Sequence, residues 1–471
     1  MAFIPPNDSM FLLAESREHP MHVGGLQLLV PPEDAGPEFV RDMIDTFRSK
    51  EGVSALFRKR PADPVGSLGQ TWWTVDEAID FDYHVRHSAV PGPGRIRELL
   101  QLTSRWHGSL LDRHRPLWEC HVVEGLADGR IAVYSKIHHA MVDGVSALRL
   151  MQRSYSEDPD ARDCLPPWML PPRPGAGSGS DLVRPPTGLP DPMNAVRAAT
   201  GVAGELAGLV PAGLKVARQV FRDGDITLPR APKTILNGPV GGARRFAAQS
   251  WELARIRQVA TSSATTLNDV VLAMVSGALR EYLLEQNALP DEPMTAMVPV
   301  SLALRDDSAG RAEATSQKDG GNKVGAIVVN LATDRAHGAT RLEEIAYSSK
   351  QAKKILGDLT PAQILAFSAA QMAPLALAPV PGFVKYTRPP FNVIVSNVPG
   401  PKNDVYFNGA KLDGLYPVSI VLDGQALNIT LTSRAGHLDF GLIGCRTSLP
   451  HLQRLLKHLE DALAELERSW G

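Results

Sequence analysis

Between Cys164 and Pro192 the chain reads CLPPWMLPPRPGAGSGSDLVRPPTGLPDP. Proline removes a backbone donor and locks φ, and glycine adds conformational entropy that folding must remove, so a run this rich in both sustains neither helix nor strand. The run reads as a linker or exposed crossover, and it divides the sequence into an N-terminal part at 1–163, a crossover at 164–225 and a C-terminal part at 226–471. Within the crossover, residues 194–221 are rich in Ala, Gly and Val and carry Pro211 near their middle, which predicts one kinked helix or two short ones. Of the 471 residues 44% are hydrophobic, enough to exclude disorder as the overall state and to supply a core on either side of the break.

Both parts mix strands and helices, which makes the fold class α/β (α+β). In the first, residues 22–30, 118–123 and 131–138 have strand character, and 38–49 and 145–155 have helical spacing. The strand at 131–138 alternates, with Ile131, Val133, Ser135 and Ile137 on one face and Ala132, Tyr134, Lys136 and His138 on the other. In the second part a helix is expected at 269–285 and strands at 296–302, 324–332, 391–396, 427–432 and 438–445. Leu452, Leu455, Leu456, Leu459, Leu463 and Leu466 then form one helical stripe that should pack on a sheet.

Charge and cysteine content narrow the partners. With 49 Lys+Arg against 51 Asp+Glu, the formal charge of −2 lacks the strong basic field of a nucleic-acid binder. Cys120, Cys164 and Cys445 are scattered and form no CxxC pair, which suits a reducing compartment. Residues 1–8 show no basic region followed by an apolar run, so no signal peptide is expected. Residues 359–384 carry no charge, but Pro374, Pro379 and Pro381 interrupt them, so a buried helix followed by a loop is expected in place of a membrane span.

The segment most able to carry chemistry is His138-His139-Ala140-Met141-Val142-Asp143-Gly144, placed between the strand at 131–138 and the helix that follows. Adjacent residues at a strand end point to opposite sides, so one histidine can face a cleft while the other packs inward. Histidine titrates near neutrality and suits proton transfer. Asp143 can accept from a ring nitrogen or pair with an arginine to brace the loop. A structural loop is the alternative; a metal site is not expected, because no third strong ligand lies nearby. The chain has no GxSxG elbow, no GxxxxGK[ST] loop and no GxGxxG after a strand, which disfavours a covalent or nucleotide-dependent route.

HHAMVDG matches the HHxxxDG signature of histidine-dependent acyltransferases, and the surrounding motifs resemble the bacterial wax ester synthase/diacylglycerol acyltransferase family over nearly the whole chain. Pro20-Met21-His22-Val23-Gly24-Gly25 is similar to the family's PMHVGG opening and Pro116-Leu117-Trp118 to its PLW element. Asn268-Asp269 is similar to its ND element, Gly320-Gly321-Asn322 to its GGN stretch, and Ser396-Asn397-Val398-Pro399-Gly400-Pro401 to its SNVPGP segment. Val298 to Arg305 departs from the family's PVSLR by two residues before the arginine, and a long polar insert follows at 306–319, so no role is carried over to Arg305.

The resemblance implies two chloramphenicol acetyltransferase-like halves joined by the Pro/Gly-rich crossover, with an active-site channel at their interface. It implies O-acyl transfer from long-chain acyl-CoA, a co-substrate and not a bound cofactor, to diacylglycerol or to a fatty alcohol, without a covalent acyl-enzyme. His139 would be the general base and His138 and Asp143 would orient it, with Gly144 and Asp269 completing the motifs. Asn268, Ser396 and Asn397 would be donors to the oxyanion or simply a helix N-cap and a turn, and Pro116, Leu117 and Trp118 would line a channel or fill the core. The Ala/Arg/Gly-rich composition resembles actinobacterial members, which points to diacylglycerol as acceptor. A carrier-protein-dependent condensation-type acyltransferase and a non-catalytic lipid-droplet or lipid-binding protein stay open at this point. A cytoplasmic location is expected, with peripheral contact at the inner membrane face or lipid droplets.

Overall fold

A computed structural model describes every residue except 1, 50–51, 63–71, 172–229, 302–323, 358, 360–362, 365–366, 369, 373–381 and 471. The described residues form two compact units. One takes the chain as far as Pro171 together with Asn403–Leu415, and the other takes the remainder.

The strands before the break are β1 (Ala2–Phe3), β2 (His22–Val30), β3 (Lys59–Pro61), β4 (Trp72–Val75), β5 (Val85–Ala89), β6 (Trp118–Glu124) and β7 (Ile131–His138). After it come β8 (Arg244–Glu252), β9 (Thr295–Ser301), β10 (Val324–Asn330), β11 (Val393–Val398), β12 (Tyr406–Phe407), β13 (Ala410–Val418), β14 (Leu427–Arg434) and β15 (His437–Cys445). The first unit holds a six-stranded sheet in the order β12-β13-β2-β7-β6-β5, beside a small sheet of β1, β4 and β3.

At the centre of the larger sheet β2 and β7 run antiparallel, with His22 opposite His138 and Gly25 opposite Ser135. Nearly every residue of both strands is buried, so both faces are covered, and the β-branched and aromatic content of IAVYSKIH suits that position. A Cβ on Gly24 would lie 2.6 Å from the Ser135 carbonyl oxygen, so only glycine permits this approach.

One face of the sheet buries charge. Lys136 Nζ donates to the Trp106 and Ser109 carbonyls at 2.9 and 2.8 Å, and His22 Nε2 donates to the His107 carbonyl at 2.8 Å. These acceptors belong to the C-terminal end of the helix Ile96–His107 and the residues just beyond it, where unpaired carbonyls favour cationic donors. Glu119 completes the arrangement, 3.5 Å from both Lys136 Nζ and His121 Nε2. A buried ammonium is tolerated only with such partners.

The described start of the proline-rich stretch, residues 164–171, packs against the core, where the sequence predicts a linker or exposed crossover. Trp168 is 2% exposed, stacks on Trp118 at 4.8 Å between ring centroids and donates its indole N–H to the Phe47 carbonyl at 3.1 Å. The Ser54 N–H in turn donates to the Trp168 carbonyl at 2.8 Å. Irregular backbone does not prevent docking: one indole removes enough apolar surface from water to hold it. The helix expected at 194–221 lies outside the described residues, as do Arg305, the insert at 306–319 and Gly320-Gly321-Asn322.

The second unit is built on a sheet ordered β10-β9-β11-β14-β15-β8, with β11 parallel to both β9 and β14. From Leu455 onward the stripe of leucines lies on the helix Arg454–Trp470, with Leu455, Leu459, Leu463 and Leu466 buried, and Leu452 lies in the turn before it. Its main partner is the helix Leu267–Glu285 and not a sheet. That helix is buried almost all round, and Gly277 opens a groove in it: a Cβ there would stand 2.8 Å from Ala462 Cβ. An apolar stripe reveals that a face is covered, not what covers it.

Within 359–384, residues 363–364, 367–368 and 370–372 are helical, with Ile364, Phe367 and Gln371 buried. Among the described residues no helix is long and apolar enough to cross a membrane.

Replacing Trp168 by alanine is expected to cost about 3–5 kcal/mol of stability, the usual range for a buried tryptophan. Guanidinium unfolding measures it, and a loss below about 1 kcal/mol would show that the segment contributes nothing to the core.

Candidate active site

The loop between β7 and the helix Gly144–Gln152 is tied at each end by local chemistry. The His138 N–H donates to the Leu117 carbonyl at 2.9 Å, and the His139 N–H to the Met21 carbonyl at 2.8 Å. At the far end Asp143 is the helix N-cap: Oδ1 accepts from the Ser146 N–H and Oδ2 from the Ser146 hydroxyl, both at 2.9 Å. The brace at Asp143 is therefore a helix cap, in place of the ring-nitrogen or arginine partner considered from the sequence.

The two histidines part company at the strand end. The His138 side chain is fully buried, with Nδ1 accepting the Ala140 N–H at 3.1 Å and Nε2 3.4 Å from Glu15 Oε1. His139 is half-buried and stacks on Phe11, ring centroids 4.1 Å apart and planes 20° from parallel. Burial pushes the His139 imidazole down to about 4, against an opposing pull from the Asp143 carboxylate. At neutral pH the ring is uncharged and carries a lone pair able to take a proton. Burial also raises Asp8 and lowers Lys59, and these two groups and Asp143 form an electrostatic neighbourhood around the loop.

The remaining motif residues separate by position. Pro116, Leu117 and Trp118 are buried; Leu117 packs with Ile4, Leu12 and Ala140 behind the loop, and Trp118 donates to the Phe57 carbonyl at 2.9 Å. Trp118 also lines a small pocket together with Ala147, Leu150 and Met151 of the helix after the motif. Gly144 has ordinary surroundings, since a Cβ there would meet only Val23 at 3.9 Å.

In the second unit Asn268 lies in the first turn of its helix, and the N-cap position considered for it belongs to Thr266. Thr266 and Asp269 form a reciprocal capping box, with Thr266 Oγ1 donating to Asp269 Oδ2 at 2.6 Å. Ser396 is half-buried and Asn397 exposed near the end of β11. The glycine of the SNVPGP segment has a steric reason, for a Cβ on Gly400 would fall 1.9 Å from the Ser433 carbonyl oxygen.

Sequence reasoning did not single out Phe11, Glu15 or Arg113. Glu15 and Arg113 pair at 3.0 Å across 98 residues of chain, a separation that leaves no local periodic signal.

Comparison with known proteins decides the family. Residues 4–271 match the model for the wax ester synthase/diacylglycerol acyltransferase catalytic domain, and residues 320–467 match the WS/DGAT C-terminal domain. The chain belongs to the wax ester synthase/diacylglycerol acyltransferase family. It is 53% identical over 472 residues to a Mycobacterium tuberculosis protein named probable diacylglycerol O-acyltransferase, with 100% of each chain covered. The solved wax ester synthase/diacylglycerol acyltransferase of Marinobacter aquaeolei is 40% identical, covers 100% of both chains and superposes with a TM-score of 0.78. The first condensation domain of the CDA synthetase, at 16% identity, 100% coverage of this chain, 97% of that chain and a TM-score of 0.54, shares the fold alone. The wax ester synthase/diacylglycerol acyltransferase chain thus has the mixed α/β, chloramphenicol acetyltransferase-like architecture that its motifs imply.

Two predictions concern the stability of this wax ester synthase/diacylglycerol acyltransferase family member. Burial holds His22, His84, His121 and His139 below the ordinary imidazole value. The unfolded chain regains a value near ~6.5 and takes up protons first as pH falls. Their contribution is therefore complete above about pH 6.5 and declines below it. The melting temperature should hold from pH 7.5 to about 6.5 and fall from there to pH 5, and an unchanged or rising value over that lower range would contradict the burial of these rings. Asp143→Ala removes the helix cap and should cost about 1 kcal/mol by chemical denaturation, with full stability ruling out the cap.

Proposed function

We propose that the protein transfers a long-chain acyl group from acyl-CoA to the hydroxyl of diacylglycerol, forming triacylglycerol, or of a fatty alcohol, forming wax ester. The observation that carries this reading is His139, a half-buried and neutral imidazole at the end of β7, on a chain of this family. The 53% identity to the mycobacterial protein named for diacylglycerol supports that acceptor, and the family name covers both.

In this reading His139 takes the proton of the acceptor hydroxyl as its oxygen attacks the thioester carbonyl. The tetrahedral intermediate collapses with cleavage of the C–S bond, and the imidazolium returns its proton to the departing thiolate. The products are the ester and free CoA, the ring ends unchanged, and no cofactor beyond the co-substrate enters the balance. A base of this kind contributes about 10²–10⁴-fold. His138 and Asp143 act on the base from behind, one through the strand end and the other through the capped helix and its charge. The protein works in the cytoplasm against the inner membrane face or lipid droplets, because its acceptors partition there.

Purified protein given palmitoyl-CoA with diacylglycerol or hexadecanol should release free thiol and form ester with at least one of them. CoA release no faster than background with both acceptors would remove the reading. His139→Ala should lower the rate by about 10²-fold or more in a protein that still folds, and retention of more than about a tenth would remove His139 as base. Because His139 is already neutral near pH 5, kcat/KM should show no acid limb centred at about 6.5, the free-histidine value, and such a limb would place the base in a wetter setting.

A further inference from the structure

We propose that Glu15 is a positioning residue for acyl transfer, fixing the tautomer of His138 and the backbone that presents His139. The inference rests on the reading of His139 as the base.

Glu15 follows the N-terminal helix Pro6–Ala14, and its side chain is 2% exposed. Donors converge on its carboxylate from three directions. Arg113 reaches Oε2 with Nη2 at 3.0 Å and Nε at 3.2 Å, and the same guanidinium is held by the Leu12 carbonyl at 2.6 Å. The Met21 N–H donates to Oε1 at 3.2 Å. His138 Nε2 stands 3.4 Å from that same oxygen.

The far side of the ring decides where the His138 proton sits. Nδ1 accepts the Ala140 N–H, so it carries a lone pair, and the proton of the neutral ring must be on Nε2, facing Glu15. The carboxylate and the Ala140 amide therefore select one tautomer between them. Met21 supplies a second connection, since its N–H is held by Glu15 while its carbonyl receives the His139 N–H. Phe11, one helical turn before Glu15, stacks on the His139 ring. One buried charge thus governs the neighbouring ring, the backbone partner and the stacking partner of His139.

A carboxylate is an expensive way to fill space here. Burial pushes Glu15 up, and the opposing contacts with His138, the Met21 amide and Arg113 are strong enough to hold it below the ordinary carboxylate value. Glutamine would fill the same volume but must turn an NH2 towards either Arg113 or the His138 Nε2–H, two donors that cannot accept it. The ring can relieve that conflict only by moving its proton to Nδ1, where it meets the Ala140 N–H. Displacements of about 1 Å near a reacting group can cost ~10²-fold in rate.

The test combines Glu15→Gln kinetics with 15N spectra of histidine-labelled protein, the His138 signals being assigned by their loss in His138→Gln. Wild-type protein should show His138 neutral with its proton on Nε2; a proton on Nδ1, or an imidazolium, at pH 7 overturns the proposal without any turnover measurement. Glu15→Gln should lower kcat by about 30- to 100-fold, keep KM for palmitoyl-CoA within about threefold and shift the His138 nitrogens. An unchanged kcat, or a loss of kcat with wild-type His138 nitrogens, overturns it. Should Glu15→Gln fail to fold, Glu15→Asp keeps the charge and withdraws it by one methylene, and a wild-type kcat there counts equally against the proposal. Wild-type CoA release in the same assay reports on acyl transfer itself, which separates the two failures.

Discussion

The pairing of β2 with β7 sets the terms for the first unit and for the candidate active site. Both strands are buried on both faces, so their register is held by packing above and below the sheet. A slip by one residue would send Lys136 and His138 to the opposite face, Lys136 away from the helix carbonyls that it donates to and His138 away from the carboxylate 3.4 Å from its Nε2. Gly24 allows the strands to meet, and Met21, just ahead of β2, arrives where it can receive the His139 amide. The PMHVGG opening and the HHAMVDG loop are therefore two sides of one antiparallel pair, more than 100 residues apart in sequence but joined by backbone hydrogen bonds.

Dryness is the second constraint, and it acts on charge as much as on packing. The same burial that lowers His139 would make Lys136, Glu119 and Glu15 costly if any lacked a partner. Each is matched: the ammonium by two carbonyls and Glu119, and Glu15 by a guanidinium, an amide and a ring nitrogen. Such an array ties the polar side chains behind the motif to one arrangement, because loosening one member strands another. A rigid backing suits a residue that must present its ring nitrogen in one direction.

Local patterns were legible. Strand character at 22–30 and alternation at 131–138 match the bounds of β2 and β7, and helical spacing anticipated the helix after the motif but not Asp143 as its cap. Assignments failed where the sequence shows that a surface is covered without showing by what. The leucine stripe of the last helix met the helix Leu267–Glu285 in place of a sheet, because Gly277 opens a groove no periodicity advertises. Asn268 yielded the N-cap to Thr266, two residues earlier, since the capping box needs a hydroxyl and a carboxylate three positions apart. The start of the proline-rich stretch, residues 164–171, docked through Trp168, whose partners come from elements far upstream.

By itself the sequence determined the α/β class and, through motifs in order, the family. These depend on neighbours within a few residues or on motif identity. Only the tertiary structure decided that Asn403–Leu415 joins the first unit, that Phe11 covers the His139 ring and that Arg113 and Glu15 hold His138. The physical reason is separation. Helical and strand periods are written in spacings of two to four residues, whereas an ion pair spanning 98 residues forms only after the sheet has brought its two ends together.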